Sequence, residues 1–321
     1  MKNPYRGSLL LALLALLLMA GADRLVSPGA APAAASSVLL GEVDGLRLFA
    51  GETPPEGVPT LFDRETLYAG NLLYVSPDAP LPAWLPEPQT RDVRGMVHLY
   101  VPAEERVSLS EETIYALCRM VKENPLSGIR IAAGMRSPRE QQALQDEAFA
   151  VYRRTMPVAS AIAQAEADVP SSGCGEHQLS TAFDIRFSAA QEWGRDDPMA
   201  RTADGRWLLK NAWRYGFIRR YPPDRAEVTG VKNETTHWRY VGREHAAAMH
   251  AAGFCLEEYL RALHEGGALR LLSDEGDEVW LLCRPLDQEG AFFPIPQGWS
   301  AEVSADNLGW AVCTMKGHSS R

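Results

Sequence analysis

Positive charge is scarce in this sequence. Its 321 residues include 32 lysines and arginines against 41 aspartates and glutamates, so the formal net charge at pH 7 is −9. No run of basic residues is long enough to form the positive surface that a nucleic acid requires. The charge balance therefore argues against a nucleic acid as the partner of this chain.

Cysteine is also rare. The chain has five cysteines, and because this number is odd at least one of them stays unpaired within the chain. Cys283 and Cys313 both lie in apolar runs near the C-terminus, and they are the pair for which we predict a disulfide. Such a bond requires an oxidising compartment, which the N-terminus indicates.

Long apolar runs are few, and the clearest one lies at the N-terminus. Residues 8–19 are leucine-rich, follow Lys2 and Arg6, and precede the small residues Ala20-Gly21-Ala22. This arrangement predicts an export signal over residues 1–22 with an A-x-A cleavage site, which would direct the chain to the cell envelope or beyond it. The alternative is an uncleaved anchor as the only membrane contact, although the run falls short of the ~20 residues of a spanning helix.

The composition changes after the leader. Residues 23–37 are rich in alanine, proline and serine, and such a segment buries too little apolar surface to order itself, so we predict a disordered linker. The remaining chain is long enough for a large domain with a buried core, expected at residues 38–265. Short strands separated by turn residues predict a small β module at residues 266–321.

Two helices have clear start signals. Ser108 and Glu111 have the spacing of a capping box ahead of an apolar stripe at helical period. Ser137, Pro138 and Glu140 combine an N-cap residue, a proline at the first helical position and the acid that completes a second box. Further helices are predicted at residues 207–215, 243–252 and 256–263. Strands are predicted at residues 46–49, 72–75, 96–101, 129–133, 185–187, 217–221, 236–241, 268–272, 279–283 and 309–314.

The stretch of residues 173–187 holds the first candidates for chemistry, His177 and, seven residues later, Asp184. On an uninterrupted strand this odd separation would place them on opposite faces, so they can share a metal ion only if the chain turns between them. Ser180-Thr181 offers suitable turn chemistry. Considered alone, such a pair is more often a surface histidine and an unrelated acid.

A second stretch, residues 234–240, favours a metal site over an unrelated histidine and acid. It begins with Glu234 and contains His237 at the entry of a predicted strand. With His177 and Asp184, the second histidine completes a set of two imidazoles and one carboxylate, which can bind zinc and leave the fourth position open for water. A glutamate beside such a set is the usual general base.

The ordered set of these motifs resembles the signature of the VanY-type D-alanyl-D-alanine carboxypeptidases, which belong to the LAS metallopeptidases. The resemblance spans roughly residues 67–259. Each motif is weak alone, whereas the set in this order is specific. The motifs are His177-x6-Asp184, Glu234-x2-His237-Trp238, Val169-Pro170, Ala182-Phe183-Asp184-Ile185, and Gly134-Met135-Arg136-Ser137 with Gln141.

The resemblance implies an α+β fold, with a LAS-type metallopeptidase core of a small antiparallel sheet and flanking helices. The C-terminal β module would be an addition to this core. It also implies Zn²⁺ held by His177, Asp184 and His237, and Glu234 as the catalytic base. The domain at residues 38–265 would then be a zinc D,D-carboxypeptidase that removes the terminal D-alanine of a peptidoglycan stem peptide. Cys174 would be a disulfide partner or a free thiol, because a thiolate ligand would close the position that water needs.

Arg136 is the candidate for catalysis and substrate recognition. Its guanidinium can bind the free carboxylate of a peptide through two hydrogen bonds, or it can stabilise the oxyanion of the tetrahedral intermediate, and the sequence leaves both roles open. Gln141, Ser180 and Trp238 are further candidates for substrate binding. Trp238 has the alternative of packing as core beneath the metal site.

Three positions depart from the usual pattern of the family. Gly175 replaces a serine, Ser180 replaces a glycine, and Met135 replaces a tyrosine. The metal ligands and the base are unaffected, so the leading hypothesis is a secreted zinc carboxypeptidase. The alternatives are a related peptidoglycan dipeptidase or endopeptidase, and a zinc-holding cell-wall-binding protein with weak activity or none.

Overall fold

The computed structural model of the chain describes residues 37–95, 102–188, 197–232 and 234–317. The predicted leader, the predicted linker up to residue 36 and the strand predicted at residues 96–101 lie outside these residues. Among the residues described, no helix has both the length and the apolar character needed to cross a bilayer.

The described residues combine strands with α-helices and short 3₁₀ helices. The strands are β1 (Val38–Val43), β2 (Leu46–Ala50), β3 (Val58–Asp63), β4 (Arg91–Asp92), β5 (Ser108–Leu109), β6 (Ile129–Ala133), β7 (Ala182–Phe187), β8 (Phe217–Arg219), β9 (His237–Tyr240), β10 (Ala268–Ser273), β11 (Glu278–Pro285), β12 (Gly290–Ile295), β13 (Ser300–Ala305) and β14 (Trp310–Gly317). The α-helices are Arg64–Tyr68, Glu111–Glu123, Pro138–Tyr152, Val158–Asp168, Pro198–Arg201, Ala203–Asn211, Ala226–Thr229, Arg243–Ala252 and Leu256–Gly266. The 3₁₀ helices are Glu176–Leu179, Ala212–Tyr215 and Pro223–Arg225.

Two antiparallel sheets organise these elements. One has four strands in the order β6-β7-β9-β8, and the other has six in the order β1-β2-β10-β11-β14-β13. β3 pairs with β12, and β4 pairs with β5. Small antiparallel sheets with flanking helices and a group of C-terminal strands confirm the predicted α+β class.

The four-stranded sheet packs one face on the helix Glu111–Glu123. Ile114 and Leu117 of this helix contact a core that includes Phe183 and Ile185 of β7. Burying a side chain of this size contributes about 1.5–3 kcal/mol relative to leaving it exposed. Because side chains alternate along a strand, Asp184 lies between two core residues and faces the other side of the sheet.

The six-stranded sheet is covered on both faces. The helices Arg243–Ala252 and Leu256–Gly266 pack on one face, where Leu48 of β2 is fully buried. Phe293 of β12 and Leu67 belong to the core on the other face. β2 pairs with β10, so the sheet combines strands from both sides of the boundary expected at residues 265 and 266. That division into domains stays a prediction.

Of the two capping boxes predicted at helix starts, one is present in the structure and one is not. The capping box at Ser137 and Glu140 is present, and its helix runs Pro138–Tyr152. The box predicted at Ser108 is wrong, because Ser108 pairs with Asp92 in a two-residue strand. Ser110 caps that helix instead, and its side chain accepts a hydrogen bond from the backbone N–H of Thr113.

Other elements differ from the expectation. Residues 72–75 form no strand, because this segment makes an isolated bond from Tyr74 N to Asp306 O, at 2.9 Å, rather than a ladder. The helix Val158–Asp168 was not predicted. In the C-terminal part β12 and β13 were not predicted, whereas β10, β11 and β14 match the predicted strands closely.

The predicted disulfide is wrong, since all five cysteines are free thiols. Cys283 lies on β11 opposite Val312, and Cys313 lies on β14 opposite Leu282. The two cysteines therefore belong to different cross-strand pairs and point to opposite faces of the sheet. Cys283 is part of the core on one face and Cys313 of the core on the other.

Candidate metal centre

His177 is placed by a tight turn. It lies in the 3₁₀ helix Glu176–Leu179, which ends at Ser180 in a left-handed conformation with φ of 60°. The chain reverses there before entering β7, which is the turn that the spacing of His177 and Asp184 required. The Nδ1 atom of His177 lies 2.6 Å from the carbonyl oxygen of Gly134. Because a carbonyl only accepts, Nδ1 carries the proton and Nε2 offers its lone pair.

Asp184 and His237 are cross-strand partners on β7 and β9. His237 Nδ1 lies 2.8 Å from Asp184 Oδ1, and His177 Nε2 lies 3.1 Å from Asp184 Oδ2. One potential ligand atom from each of the three residues falls within 4.8 Å of the others. The structure thus brings together the three residues predicted as metal ligands.

The electrostatics of the cluster favour an ionised aspartate. Burial opposes the charge of Asp184, but the neighbouring imidazoles of His177 and His237 hold the pKa of its carboxyl below the ordinary value. Burial lowers the pKa of His177. For His237 burial acts in the same direction, but contacts with Asp184 and Glu176 outweigh it and raise its pKa to about 9.

The donor set fits zinc. An ionised carboxylate and two imidazole nitrogens are typical zinc ligands, and three protein ligands with an open fourth position are the pattern of catalytic sites. The outward-facing ring nitrogens also face acceptors, as is usual for metal-ligating histidines. For His177 this acceptor is the oxygen of Gly134, and for His237 it is Glu176, whose Oε2 lies 3.4 Å from Nε2.

Arg136 lies beside the ligands. Its backbone N–H donates to the carbonyl oxygen of His177 at 3.1 Å, which ties the segment before the helix Pro138–Tyr152 to the ligand turn. Its Nη2 atom lies 3.5 Å from Asp184 Oδ2, and 27% of its side chain is exposed. The guanidinium therefore remains accessible to a substrate at the cluster.

Glu234 lies on the loop ahead of β9. Its carbonyl oxygen accepts a hydrogen bond from the backbone N–H of His237 at 3.3 Å. Although the residue as a whole is exposed, partial burial of its carboxyl raises the pKa of Glu234, and the positive charges of His237 and Arg136 only partly oppose this effect. The carboxyl of Glu234 is thus close enough to the cluster for the charges there to affect its pKa.

The three remaining candidates lie in the interior. Gln141 is buried, and its Nε2 donates to the carbonyl oxygen of Pro170 at 2.7 Å, so its side chain anchors the backbone at that residue. Trp238 is buried in the core, because it alternates with His237 along β9 and faces the opposite side of the sheet. Ser180 is buried at the left-handed turn, where a glycine is favoured.

Sequence reasoning missed the residues behind the cluster. Glu176, directly before His177, is 3% exposed and accepts hydrogen bonds from Arg220 and Arg239. A charged residue is rarely buried without partners, and residue type alone gives no sign of burial. The usable signal is Arg239, which shares a strand face with His237 because it lies two positions further along β9.

Comparison with known proteins gives consistent relatives. A family model described as VanY, D-alanyl-D-alanine carboxypeptidase, matches residues 106–243. A D-alanyl-D-alanine carboxypeptidase of Enterococcus faecalis is 44% identical over 131 residues, which are 40% of this chain and 46% of the relative, so the match spans about half of that protein's length. The bifunctional D-Ala-D-Ala dipeptidase and D-Ala-D-Ala carboxypeptidase VanXYC of Enterococcus gallinarum is 30% identical over 159 residues, which are 49% of this chain and 80% of the relative.

A solved structure shares the fold. The D,D-dipeptidase VanXYg, in complex with a D-Ala-D-Ala phosphinate analogue, matches with a TM-score of 0.63 and 23% sequence identity. The match covers 82% of this chain and 100% of that one. At this identity the likeness describes the fold alone.

Proposed function

Because the chain belongs to the VanY family of D-alanyl-D-alanine carboxypeptidases, we propose that it is an exported zinc peptidase. Its substrate would be the peptidoglycan stem peptide, from which it hydrolyses the terminal D-alanine. The observation that carries this proposal is the convergence of His177, Asp184 and His237, each with one ligand atom within 4.8 Å of the others. Location in the cell envelope rests on the leader-like N-terminal sequence.

The three ligands would hold a zinc ion, which when bound acts as a Lewis acid and lowers the pKa of water. Glu234 takes the proton of the attacking water and delivers it to the leaving amine. Burial raises the pKa of its carboxyl above the ordinary value, which is the direction that favours a group that must both accept and release a proton.

Arg136 supplies substrate recognition. A carboxypeptidase must bind a free terminal carboxylate, and a guanidinium does so with two parallel hydrogen bonds. The accessible side chain beside Asp184 supports this assignment. If Arg136 binds the carboxylate, a pentapeptide amide is a poor substrate for the wild-type protein and Arg136→Lys raises KM for the free acid. If Arg136 instead stabilises the oxyanion, Arg136→Lys lowers kcat for both the free acid and the amide.

The direct test is release of D-alanine from a muramyl pentapeptide by the purified chain with zinc. Glu234→Gln should lower kcat by about a hundredfold to ten-thousandfold, because it removes the general base, while the zinc content measured by atomic absorption stays unchanged. Glu227→Gln, at an exposed acid of the helix Ala226–Thr229, is the matched control and should retain activity.

The outcomes separate the candidate functions. No release of D-alanine by zinc-loaded wild-type protein, together with binding of the pentapeptide, would identify a wall-binding protein without turnover. Full activity of Glu234→Gln would contradict the role of the base. The name of the Enterococcus gallinarum relative, which is 30% identical, includes a dipeptidase activity, so free D-Ala-D-Ala belongs in the same assay.

A further inference from the structure

A buried carboxylate lies behind the second imidazole of the metal centre. Two arginines donate to the same oxygen of Glu176, since Arg220 Nε and Arg239 Nη1 both lie 2.7 Å from Oε1. Arg220 is 1% exposed and Arg239 is fully buried. Water therefore screens none of these contacts, and the carboxylate is held in one orientation.

The other oxygen of Glu176 faces His237. Its Oε2 atom lies 3.4 Å from His237 Nε2, and neither atom has a hydrogen-bond partner among the described residues. This distance exceeds the usual 2.9–3.0 Å of an N–H···O bond. However, leaving a buried polar group unpaired costs about 1–3 kcal/mol, so a small rotation that joins the two atoms is favoured.

From this geometry we infer that Glu176 is a positioning residue: it accepts a hydrogen bond from Nε2–H of His237 and thereby commits Nδ1 to the metal. The inference rests on the zinc site of the proposed function. It is consistent with the placement of the ring, because Nδ1 is the atom that lies 2.8 Å from Asp184 Oδ1.

The two imidazoles would then bind the metal through different nitrogens. His177 uses Nε2, because the carbonyl oxygen of Gly134 takes its Nδ1–H. His237 uses Nδ1, because Glu176 takes its Nε2–H. In each ring one acceptor of the protein selects the tautomer, and the remaining nitrogen faces Asp184.

The arginines anchor Glu176 to distant parts of the fold. Arg220 also donates to both carboxylate oxygens of Glu257 on the helix Leu256–Gly266, at 3.1 and 2.7 Å. Arg239 Nη2 donates to the carbonyl oxygens of Asn71 and Leu73, at 2.9 and 2.6 Å. The orientation of the ligand ring is therefore fixed by the scaffold before a metal ion binds.

Nuclear magnetic resonance on the wild-type protein tests the assignment directly. In protein labelled with ¹⁵N at histidine and loaded with ¹¹³Cd, we expect cadmium coupling to Nδ1 of His237 and to Nε2 of His177, with protons on the opposite nitrogens. Cadmium coupling to Nε2 of His237 would overturn the inference while leaving the zinc peptidase intact. A protein that binds neither metal would instead refute the proposed metal site itself.

Metal affinity gives a second measurement. Glu176→Gln should weaken zinc binding by about 10–100-fold, the usual effect of losing such a partner. Glu258→Gln is the matched control, because on the helix Leu256–Gly266 it removes an ion-pair partner of Arg225 without touching Glu176, Arg220 or His237, and its zinc affinity should stay near that of the wild type. Circular dichroism of the metal-free variants checks that both fold. Unchanged affinity in Glu176→Gln, or equal weakening in both variants, would contradict a specific role. If Glu176→Gln does not fold, the cadmium measurement decides.

Discussion

Replacing Gly175 with serine tests the packing of the ligand turn. Gly175 has φ of −113° and ψ of 139°, an extended conformation that any residue adopts. A Cβ atom added there would meet the amide group of Gln141 at 3.7 Å, which is an ordinary contact. Neither backbone strain nor a clash opposes the larger residue.

The expected gain follows from an unpaired acceptor. Gln141 Oε1 is buried and has no hydrogen-bond partner in the described part of the chain, and it would lie 3.9 Å from the new Cβ atom, within reach of a serine hydroxyl. That hydrogen bond contributes about 1 kcal/mol. Restricting the unfolded chain at a former glycine adds about 0.4–1 kcal/mol. Gly175→Ser should therefore raise the free energy of unfolding by about 1.5–2 kcal/mol.

Urea denaturation of the metal-free protein measures this gain. Gly175→Ala is the control, because it restricts the unfolded chain but offers no hydroxyl, so it should reach only about 0.4–1 kcal/mol. The slope of the free energy of unfolding against urea concentration should be the same for all three proteins, since each exposes nearly the same surface on unfolding. A serine variant no more stable than the alanine variant would refute the hydrogen bond to Gln141.

Two further predictions concern the six-stranded sheet and the helices on it. Burial lowers the pKa of His245 to about 4 from its ordinary 6.5. The stabilisation that the folded protein gains from its neutral imidazole is therefore complete above pH 6.5. As the pH falls below 6.5, the unfolded chain binds the proton before the folded protein does, and this stabilisation is lost. Between pH 6.5 and 4 the free energy of unfolding of the wild type should thus fall by about 3 kcal/mol more than that of His245→Gln. Urea unfolding at a series of pH values measures both proteins. If their free energies of unfolding change with pH in the same way, the prediction is contradicted. Cys283 and Cys313 face opposite sides of the sheet, so thiol titration of unfolded, unreduced protein should detect all five thiols. A lower count that peptide mapping traces to a bond between Cys283 and Cys313 would contradict the register of β11 and β14.

The ligands of the candidate site were predictable because they lie in short motifs with fixed spacing. His177 and Asp184 are joined by one turn, and Glu234 and His237 by one strand entry. Local chemistry likewise predicted the helix that begins after Ser137. The helix start and the turn depend on neighbours in sequence. The convergence of the two motifs, whose residues Asp184 and His237 lie 53 positions apart, was instead expected from the resemblance to the VanY-type signature.

Features that depend on distant pairing were not predictable. The register of β11 and β14 separates Cys283 from Cys313, and no local pattern sets that register. The burial of Glu176 depends on two arginines that lie more than forty residues away. The sequence left two roles for Trp238, packing in the core or binding substrate. Its place on β9, facing the side of the sheet away from His237, assigns it to the core. Each case requires the fold before the role of the residue follows.

The partnership of β2 with β10 also has a consequence for biosynthesis. Leu48 lies opposite Leu271, about 220 residues later in the chain, so contacts of very long range must close before this sheet is complete. In a nascent chain β2 lacks this strand partner until β10, about 220 residues later, has left the ribosome. β10 therefore governs when β1 and β2 of the newly made protein can join the six-stranded sheet, although among the described residues it contributes no ligand to the candidate metal centre.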